Sequence, residues 1–499
     1  MKSIHKWTVG ALVVCGFQIA TMDHTFALTD KAVTPEQYGA NGSDNLPDTA
    51  ALQRAFNASK NVVLKGGATY YINKPLSVDH TIKITTTGGK ANIVKTTMRN
   101  KEVAFTFHNA ATLNTVMWDS AKKGQDYIVV YSTKGIQPGD LVHLKSSKLW
   151  KWDNRGYLSK GELLRVSKVE KNKIYFETPL RDSYYVTGEK VTVTGYEDKQ
   201  LIMENVSFSY PQPFNSNKPL VLVEAATNSK LENVEVRNSK TLGILLDRTY
   251  KTTVNRMYAN LGTTKDINSG YGIQDYGGLY TRVTNSYFTN VRRGIDFSGV
   301  TPSRSGYAAN NTAVGPVRYT LASGNSGYGT HSTAEDILFE DNTSVNFNYG
   351  YISRGDRITI RNNTAYGTMT AMVAASYGDH INVYNNFYKN DKGGNAEQFL
   401  RVVKTFDGNV SLRHNYAGVL TGDFVQNDSP YLKSLDLNRN RAIFIHKASN
   451  PAYLIKSLGS VKLENTITQD NSMTMRVGKK AFSSGFNLTS HTNKIDWKY

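Results

Sequence analysis

Seven short phrases punctuate the chain from Val234 onward, each alternating apolar and polar residues and closing near an asparagine. They are VEVRNS from Val234, ILFEDN from Ile337, ITIRNN from Ile358, INVYNN from Ile381, VSLRHN from Val410, LDLNRN from Leu435 and VKLENT from Val461. From Ile337 onward their starts are 21 to 29 residues apart, a period that belongs to a solenoid. Apolar residues at i and i+2 point into a core while their neighbours face out. Asparagine at the end suits the left-handed backbone of a tight corner. A second set of phrases recurs between them: GILLD at Gly243, GIQDY at Gly272, GIDFS at Gly294, GYISR at Gly350, AMVAA at Ala371 and FLRVV at Phe399. Two or three short strands per repeat, with no helical period between, predict an all-β right-handed parallel β-helix. Propeller blades would need repeats of about 40 residues.

An open coil end would expose apolar core and strand edges. DTAALQRAFNAS sets Ala51, Leu52, Ala55 and Phe56 on one helical face behind Asp48 as N-cap, so a short helix is expected to plug that end. Between Ile136 and Glu197 the pattern changes to GIQPGDLVHL, KGELLRVSKVEKNKIYFETPL and EKVTVTGYE, which predicts a small antiparallel module inserted in the coil. The expected order is a leader at 1–27, cap and first turns at 28–135, module at 136–200, main helix at 201–470 and a C-terminal cap or tail at 471–499.

Lys2 and Lys6 precede an apolar run from Trp7 to Ala20, and Thr25-Phe26-Ala27 offers small-residue cleavage, so a secretory signal peptide ending near Ala27 is expected. Val13-Val14-Cys15-Gly16 is a poor lipoprotein signal, because Val14 is bulky where a small residue is needed. Cys15 is the single cysteine, so the mature chain would carry no disulfide or thiolate-bound metal. No later segment reaches the roughly 18 apolar residues of a membrane span. The expected location is secreted or periplasmic. The formal charge of +18 favours polyanionic partners, which outside the cytoplasm means acidic polysaccharide rather than nucleic acid. The 30 tyrosines suit stacking on sugars and equally suit a wet β surface. Neither a monomer nor a homo-oligomer is selected.

QYGANGSDNLPDTAALQRAF, Gln37 to Phe56, followed by NVVLKGGATYYI, resembles the entry signature of the pectate-lyase-like β-helix superfamily, which includes bacterial polysaccharide lyases and phage tailspike depolymerases. The couplet RRGIDFSG and GTHSTAEDILFEDN is similar to one that recurs in tailspike-like members. Some relatives have Arg-His where this chain has Arg292-Arg293, so a second histidine is not carried over. The resemblance implies a polysaccharide-acting protein, and for some members calcium-assisted elimination.

Outward residues on successive turns lie about 4.8 Å apart, a ladder suited to a linear polymer. Ile295 and Phe297 should point inward and Asp296 outward, with Gln274 on the preceding turn; the same offset turns Asp275 inward. About 38 residues separate Gly299 from the next clear strand, which reads as a long functional insertion holding Arg304, Tyr307, Asn310, Arg318, Tyr319, Tyr328 and His331. Two chemistries fit. In β-elimination from a uronate, Arg293 or Arg318 neutralises the carboxylate, His331 is the base and Tyr307 or Tyr328 the acid, with Gln274, Arg292, Trp150 and Trp152 binding sugar. In hydrolysis, Asp296 pairs with Glu335 or Asp336. His331 as an ordinary strand cap and the acids as turn residues are the plain alternatives. Asp247, Asp275 and Asp296 fall on successive turns in different registers, which favours a site without calcium or other cofactor. His414 and Arg401 are further basic groups. Zinc spacing, a phosphate loop and a nucleophile elbow are absent. The preferred reading is an exported lyase of an acidic polysaccharide. A tailspike-like endoglycosidase, a C5 epimerase and a non-catalytic glycan-binding protein follow.

Overall fold

The computed structural model describes residues 31–150, 158–262, 269–315, 324–367, 370–389, 398–403, 405–444, 453–457, 463–475, 486–491 and 494–497. The expected leader, Cys15, Trp152, Tyr319 and Arg318 lie outside the described residues. Three parallel sheets, of 14, 14 and 12 strands among the described residues, wind around one core. Among the described residues the first 12 turns each contribute one strand to each sheet in the same order, as in Arg282–Thr284, Tyr287–Thr289 and Arg293–Ser298, and the last two contribute to the first and second sheets. Among the described residues the core is continuous from Ala40 to Ile455. Among the described residues, no helix is long and apolar enough to cross a membrane.

All six phrases of the second set lie in the third sheet, beginning with Leu242–Asp247 and ending with Gln398–Val402. The asparagine phrases mark the corner between the first and second sheets, for a reason other than the expected one. The left-handed residue is the one before the asparagine: Asp341 (φ 53°), Asn362 (56°), Asn385 (55°), His414 (54°) and Arg439 (52°). The asparagine itself is buried and builds a ladder. Asn342 Oδ1 accepts the Asn311 amide at 3.0 Å, Asn363 the Asn342 amide at 2.8 Å and Asn386 the Asn363 amide at 2.9 Å. Each side-chain amide then donates onward, as Asn363 does to Phe339 O at 3.0 Å. Corner groups that would be orphaned inside the coil are thereby satisfied. Two phrases are out of register: VEVRNS belongs to the second sheet, and the corner asparagine of the last repeat is Asn471, beyond VKLENT.

The helix Thr49–Ala58 buries Ala51, Leu52, Ala55 and Phe56, and Phe56 meets Phe105 of the third sheet edge-on at 6.0 Å. Asp48 occupies the N-cap without a side-chain cap bond; its Oδ1 accepts the Asn41 amide at 2.7 Å instead.

Antiparallel strands run from Ala111 to Tyr196, beginning ahead of residue 136. Their order is Ala111–Val116, Val191–Tyr196, Leu141–Leu149, Ser159–Glu170, Lys173–Phe176 and Tyr127–Val129. A bridge between Met117 and Val130 joins the ends of that order, so the six strands close into a small barrel with its own core. Leu141, Leu163 and Tyr196 pack it against Ala225, Tyr250 and Leu279 of the coil. His143 Nε2 meets Thr301 Oγ1 at 2.8 Å in this interface, where burial pushes the imidazole down to about 3, so the ring is neutral.

The long insertion expected after Gly299 is a regular turn of the coil. Tyr307–Ala309 extends the first sheet, Thr312–Val314 the second and Ser326–Thr330 the third. Its core positions Ala308 and Ala313 are small, so the strands carry little hydrophobic contrast and the repeat is hard to see. Gly306 fits because a Cβ there would lie 2.3 Å from the Phe297 ring.

Candidate active site

Gln274, Asp296 and Gly329 occupy one column of the third sheet on consecutive turns. The flanking Ile295 and Phe297 are buried in the core, so Asp296 points out of the coil. It is nevertheless 0% exposed. The Gln274 amide donates to its Oδ2 at 2.9 Å and to Ser298 Oγ at 3.1 Å. His331 Nδ1 lies 3.0 Å from the same Oδ2, and the Arg293 guanidinium bonds Oδ1. Arg293 is anchored in turn on Ser326 Oγ at 3.1 Å and Gly324 O at 3.3 Å. Gly329 allows this arrangement: a Cβ there would sit 3.1 Å from the Arg293 Cζ.

A buried carboxylate costs several kcal/mol unless it is paired and fully bonded. Burial favours the protonated acid, but the His331 and Arg293 charges and the bonds from His331 and Gln274 hold Asp296 well below the usual carboxylate range. Asp296 therefore accepts the Nδ1 proton of His331 and fixes the tautomer with its lone pair on Nε2. His331 closes the strand Ser326–Thr330, its amide donating to Phe297 O at 2.8 Å, and 18% of its side chain is exposed. Burial pushes the imidazole below its ordinary value; the Asp296 charge and hydrogen bond pull it up, and Arg293 and Arg354 push it down again. The ring is neutral near neutral pH, and Nε2 has no hydrogen bond among the described residues. This arrangement can take a proton.

Aromatic and basic groups from neighbouring turns and the barrel lie around it. Tyr271 meets the His331 ring edge-on at 6.5 Å and accepts a bond from Arg292 Nη1 at 2.9 Å. Arg354 follows one turn on, its amide donating to Thr330 Oγ1 at 2.8 Å, its Nε donating to Ser376 Oγ at 3.2 Å and its guanidinium lying over Tyr377 at 5.7 Å. Trp150, from the barrel, donates from Nε1 to Ser332 O at 3.1 Å. Tyr271, Arg354 and Tyr377 were not singled out in the sequence. In the third-sheet register Gly329 pairs with Ile352, and two positions on His331 matches Arg354.

The remaining expected residues separate from this cluster. Arg293 is buried beneath Asp296, so it positions the acid and does not meet a substrate carboxylate. Tyr328 is a core residue, stacked on Tyr351 at 5.4 Å with its hydroxyl on Thr343 O at 3.0 Å, and burial raises its proton affinity far above the usual range. It cannot act as the acid. Tyr307 lies in the first sheet and bonds Glu340 at 2.9 Å. Glu335 and Asp336 are held by arginines: Glu335 by Arg304 at 2.6 Å and by Arg357, Asp336 by Arg357 at 2.6 Å and by Arg181. Both carboxylates are thus engaged by arginines. Asp247, Asp275 and Asp296 stand in three different columns, and among the described residues no group of three or more His, Cys, Asp or Glu is arranged around an ion. Arg401 pairs with Asp428 at 3.2 Å, and His414 is a corner residue.

Residues 220–388, which include Asp296 and His331, match the family described as a right-handed beta helix region. The chain is a right-handed parallel β-helix. Among solved structures, this β-helix is similar to the tailspike protein gp49 of Pseudomonas phage LKA1, with a TM-score of 0.72 and 17% identity over 91% of this chain and 84% of that one. It is similar to the tailspike gp61 of Pseudomonas phage phi297, with 0.67 and 16% over 92% and 82%. It is also similar to the Gp54 tailspike of Acinetobacter baumannii bacteriophage AP22, solved with a capsular saccharide, with 0.61 and 14% over 92% and 79%. At these identities the likeness is one of fold. No curated protein matches the chain by sequence.

Proposed function

We propose that this protein acts outside the cytoplasm on an acidic, uronate-containing polysaccharide and cleaves it by β-elimination, with His331 as the base. The observation that carries this reading is the Asp296–His331 pair, in which Nδ1 is occupied, Nε2 has no hydrogen bond among the described residues and the His331 side chain is partly exposed. His331 Nε2 takes the C5 proton, the C5–H electrons become the C4–C5 double bond, and the C4–O bond breaks. The departing oxygen takes a proton from Tyr271, whose hydroxyl Arg292 holds at 2.9 Å. Arg354 is the cation on the next turn suited to the uronate carboxylate, which must be neutralised before C5–H becomes acidic. Trp150 reaches Ser332, the neighbour of His331, from the barrel side. A surface carrying a formal +18 would draw in such a polymer.

The tailspike-like endoglycosidase is retained as the second reading because the three similar folds are tailspikes and one of them holds a capsular saccharide. Incubation with a panel of acidic polysaccharides separates the readings. Elimination creates an unsaturated uronate that absorbs in the ultraviolet, whereas hydrolysis creates reducing ends without that absorbance. A C5 epimerase would exchange the C5 proton with solvent and leave chain length unchanged, and binding without any product would leave a glycan-binding protein. Reducing ends without absorbance would overturn the lyase reading.

A further inference from the structure

The barrel carries a feature that the Asp296–His331 site does not use. At its closing seam, Met117 and Val130 form the bridge and point into the barrel core. Their neighbours Trp118 and Tyr131 therefore point out. Trp118 is 59% exposed and Tyr131 62% exposed, with ring centroids 4.6 Å apart and planes at 49°. The backbone holds the pair on both sides, Trp118 N donating to Val129 O at 2.8 Å and Tyr131 N to Val116 O at 3.3 Å. Two large rings kept wet immediately beyond the bridge, at bends whose amides are bonded across the seam, form a preorganised surface. In the barrel order, Leu141 and Leu163 of the strands Leu141–Leu149 and Ser159–Glu170, with Tyr196 at the end of the adjacent strand, carry the contacts to the coil, and the seam lies across the ring from the first two strands. The pair thus faces away from the coil.

The surroundings are basic. Lys134 follows the seam, Lys171 O accepts the Thr133 hydroxyl at 2.6 Å, and Lys190 precedes the Val191 carbonyl that receives the Met117 amide at 3.1 Å. All three lysines are exposed. Of the nearby carboxylates, Glu170 is already paired with Lys168, which leaves Asp119. We infer that the Trp118–Tyr131 seam is a second glycan-binding site, which stacks the apolar faces of sugar rings in an acidic polysaccharide while the lysine rim meets its carboxylates. It rests on the proposed function for the class of ligand. A polymer held there would stay tethered after the Asp296–His331 site releases a product, raising its local concentration at that site.

The test uses the full chain carrying His331→Ala, so that the polymer is not consumed. Titration with polygalacturonate, alginate and hyaluronate, and with neutral dextran as control, is compared with the same chain also carrying Trp118→Ala and Tyr131→Ala. Affinity for at least one acidic polymer should fall by about tenfold in the latter, the loss expected from two stacking rings, with an unchanged thermal midpoint. Dextran should bind neither. Equal affinities, or no binding to any acidic polymer, would overturn the inference. So would a dimer by light scattering that the paired alanines dissolve, because the occupant would then be a second copy. Failure of the cleavage reading shows separately, as turnover that persists in the His331→Ala chain.

Discussion

Two clusters of acid and arginine lie on neighbouring turns of the same coil. In the first, Asp296 receives Gln274, Arg293 and His331, and one nitrogen of His331 is left over. In the second, Arg304 reaches Glu162 at 3.2 Å, Asp182 at 2.6 Å and Glu335 at 2.6 Å, while Arg181 and Arg357 complete the ring around Glu335 and Asp336. Residue types alone do not tell them apart. The difference lies in saturation: the second cluster spends its charges on each other and fastens the barrel to the coil, and the first keeps one basic group uncommitted.

The sharpest break comes from the first cluster. His331→Ala should lower turnover by about a thousandfold, the scale of a positioned general base, with the fold intact by circular dichroism. Asp296→Asn should cost about a hundredfold by releasing the tautomer of His331, and it should also destabilise, because Arg293 is left buried without its counter-charge. Adding Arg293→Met should restore stability, read by urea unfolding, without restoring turnover. If Asp296→Asn turns over normally, the two clusters do not differ as described.

Breaking the second cluster should act on stability. Arg304→Met leaves Glu162, Asp182 and Glu335 without their common cation and should cost about 3 kcal/mol, the scale of a broken buried pair. Because Trp150 lies under the Arg304 guanidinium at 5.2 Å, KM should rise more than kcat falls. Equal losses in both constants without destabilisation would place Arg304 in the chemistry instead.

The pH dependence separates the sites by sign. His331 has its proton affinity lowered in the fold, so the base form persists below the ordinary histidine value of about 6.5, and the acid limb of kcat/KM should lie below that pH. The same shift means that the unfolded chain binds more protons there, so stability is present above about 6.5 and is lost as pH falls. Asp275 runs the other way. Burial pushes its carboxyl up to about 7, against hydrogen bonds from Ser303 and Thr281, so its contribution is present at low pH and lost as pH rises through about 7. Asp275→Asn should remove the fall in thermal midpoint between about pH 4, the ordinary carboxyl value, and about pH 7, and leave the acid limb of activity in place.

The smallest effect belongs to Tyr307. It stands on the first sheet with Glu340 and under Arg282 at 4.3 Å. Tyr307→Phe should change stability by about 0.5 kcal/mol or less and leave kcat/KM unaltered; a large loss of activity would return it to the reaction.

The repeat period, the inward and outward alternation, the capping helix and the third-sheet phrases were all readable in one dimension, because a coil repeats its local contacts at a fixed interval. The pairing of Asp296 with a histidine 35 residues on was reachable only as a resemblance. The turn through Tyr307–Ala309 was misread as an insertion, since alanine in core positions erases the contrast on which periodicity depends. The role of the corner asparagines was half legible: their spacing marked the corner, but the left-handed residue and the ladder residue are neighbours that composition does not distinguish.

From the order of residues alone follow a β-coil with an entry helix, an antiparallel insert and an outward Asp296. Tertiary structure alone separates Tyr271 and Arg354, beside His331, from Tyr328 in the core and Glu335 in its ring of arginines. Local alternation sets which way a side chain points from its own strand. Whether it then meets water, a partner or another turn depends on atoms brought from 20 or more residues away, as the 22 between Gln274 and Asp296 show.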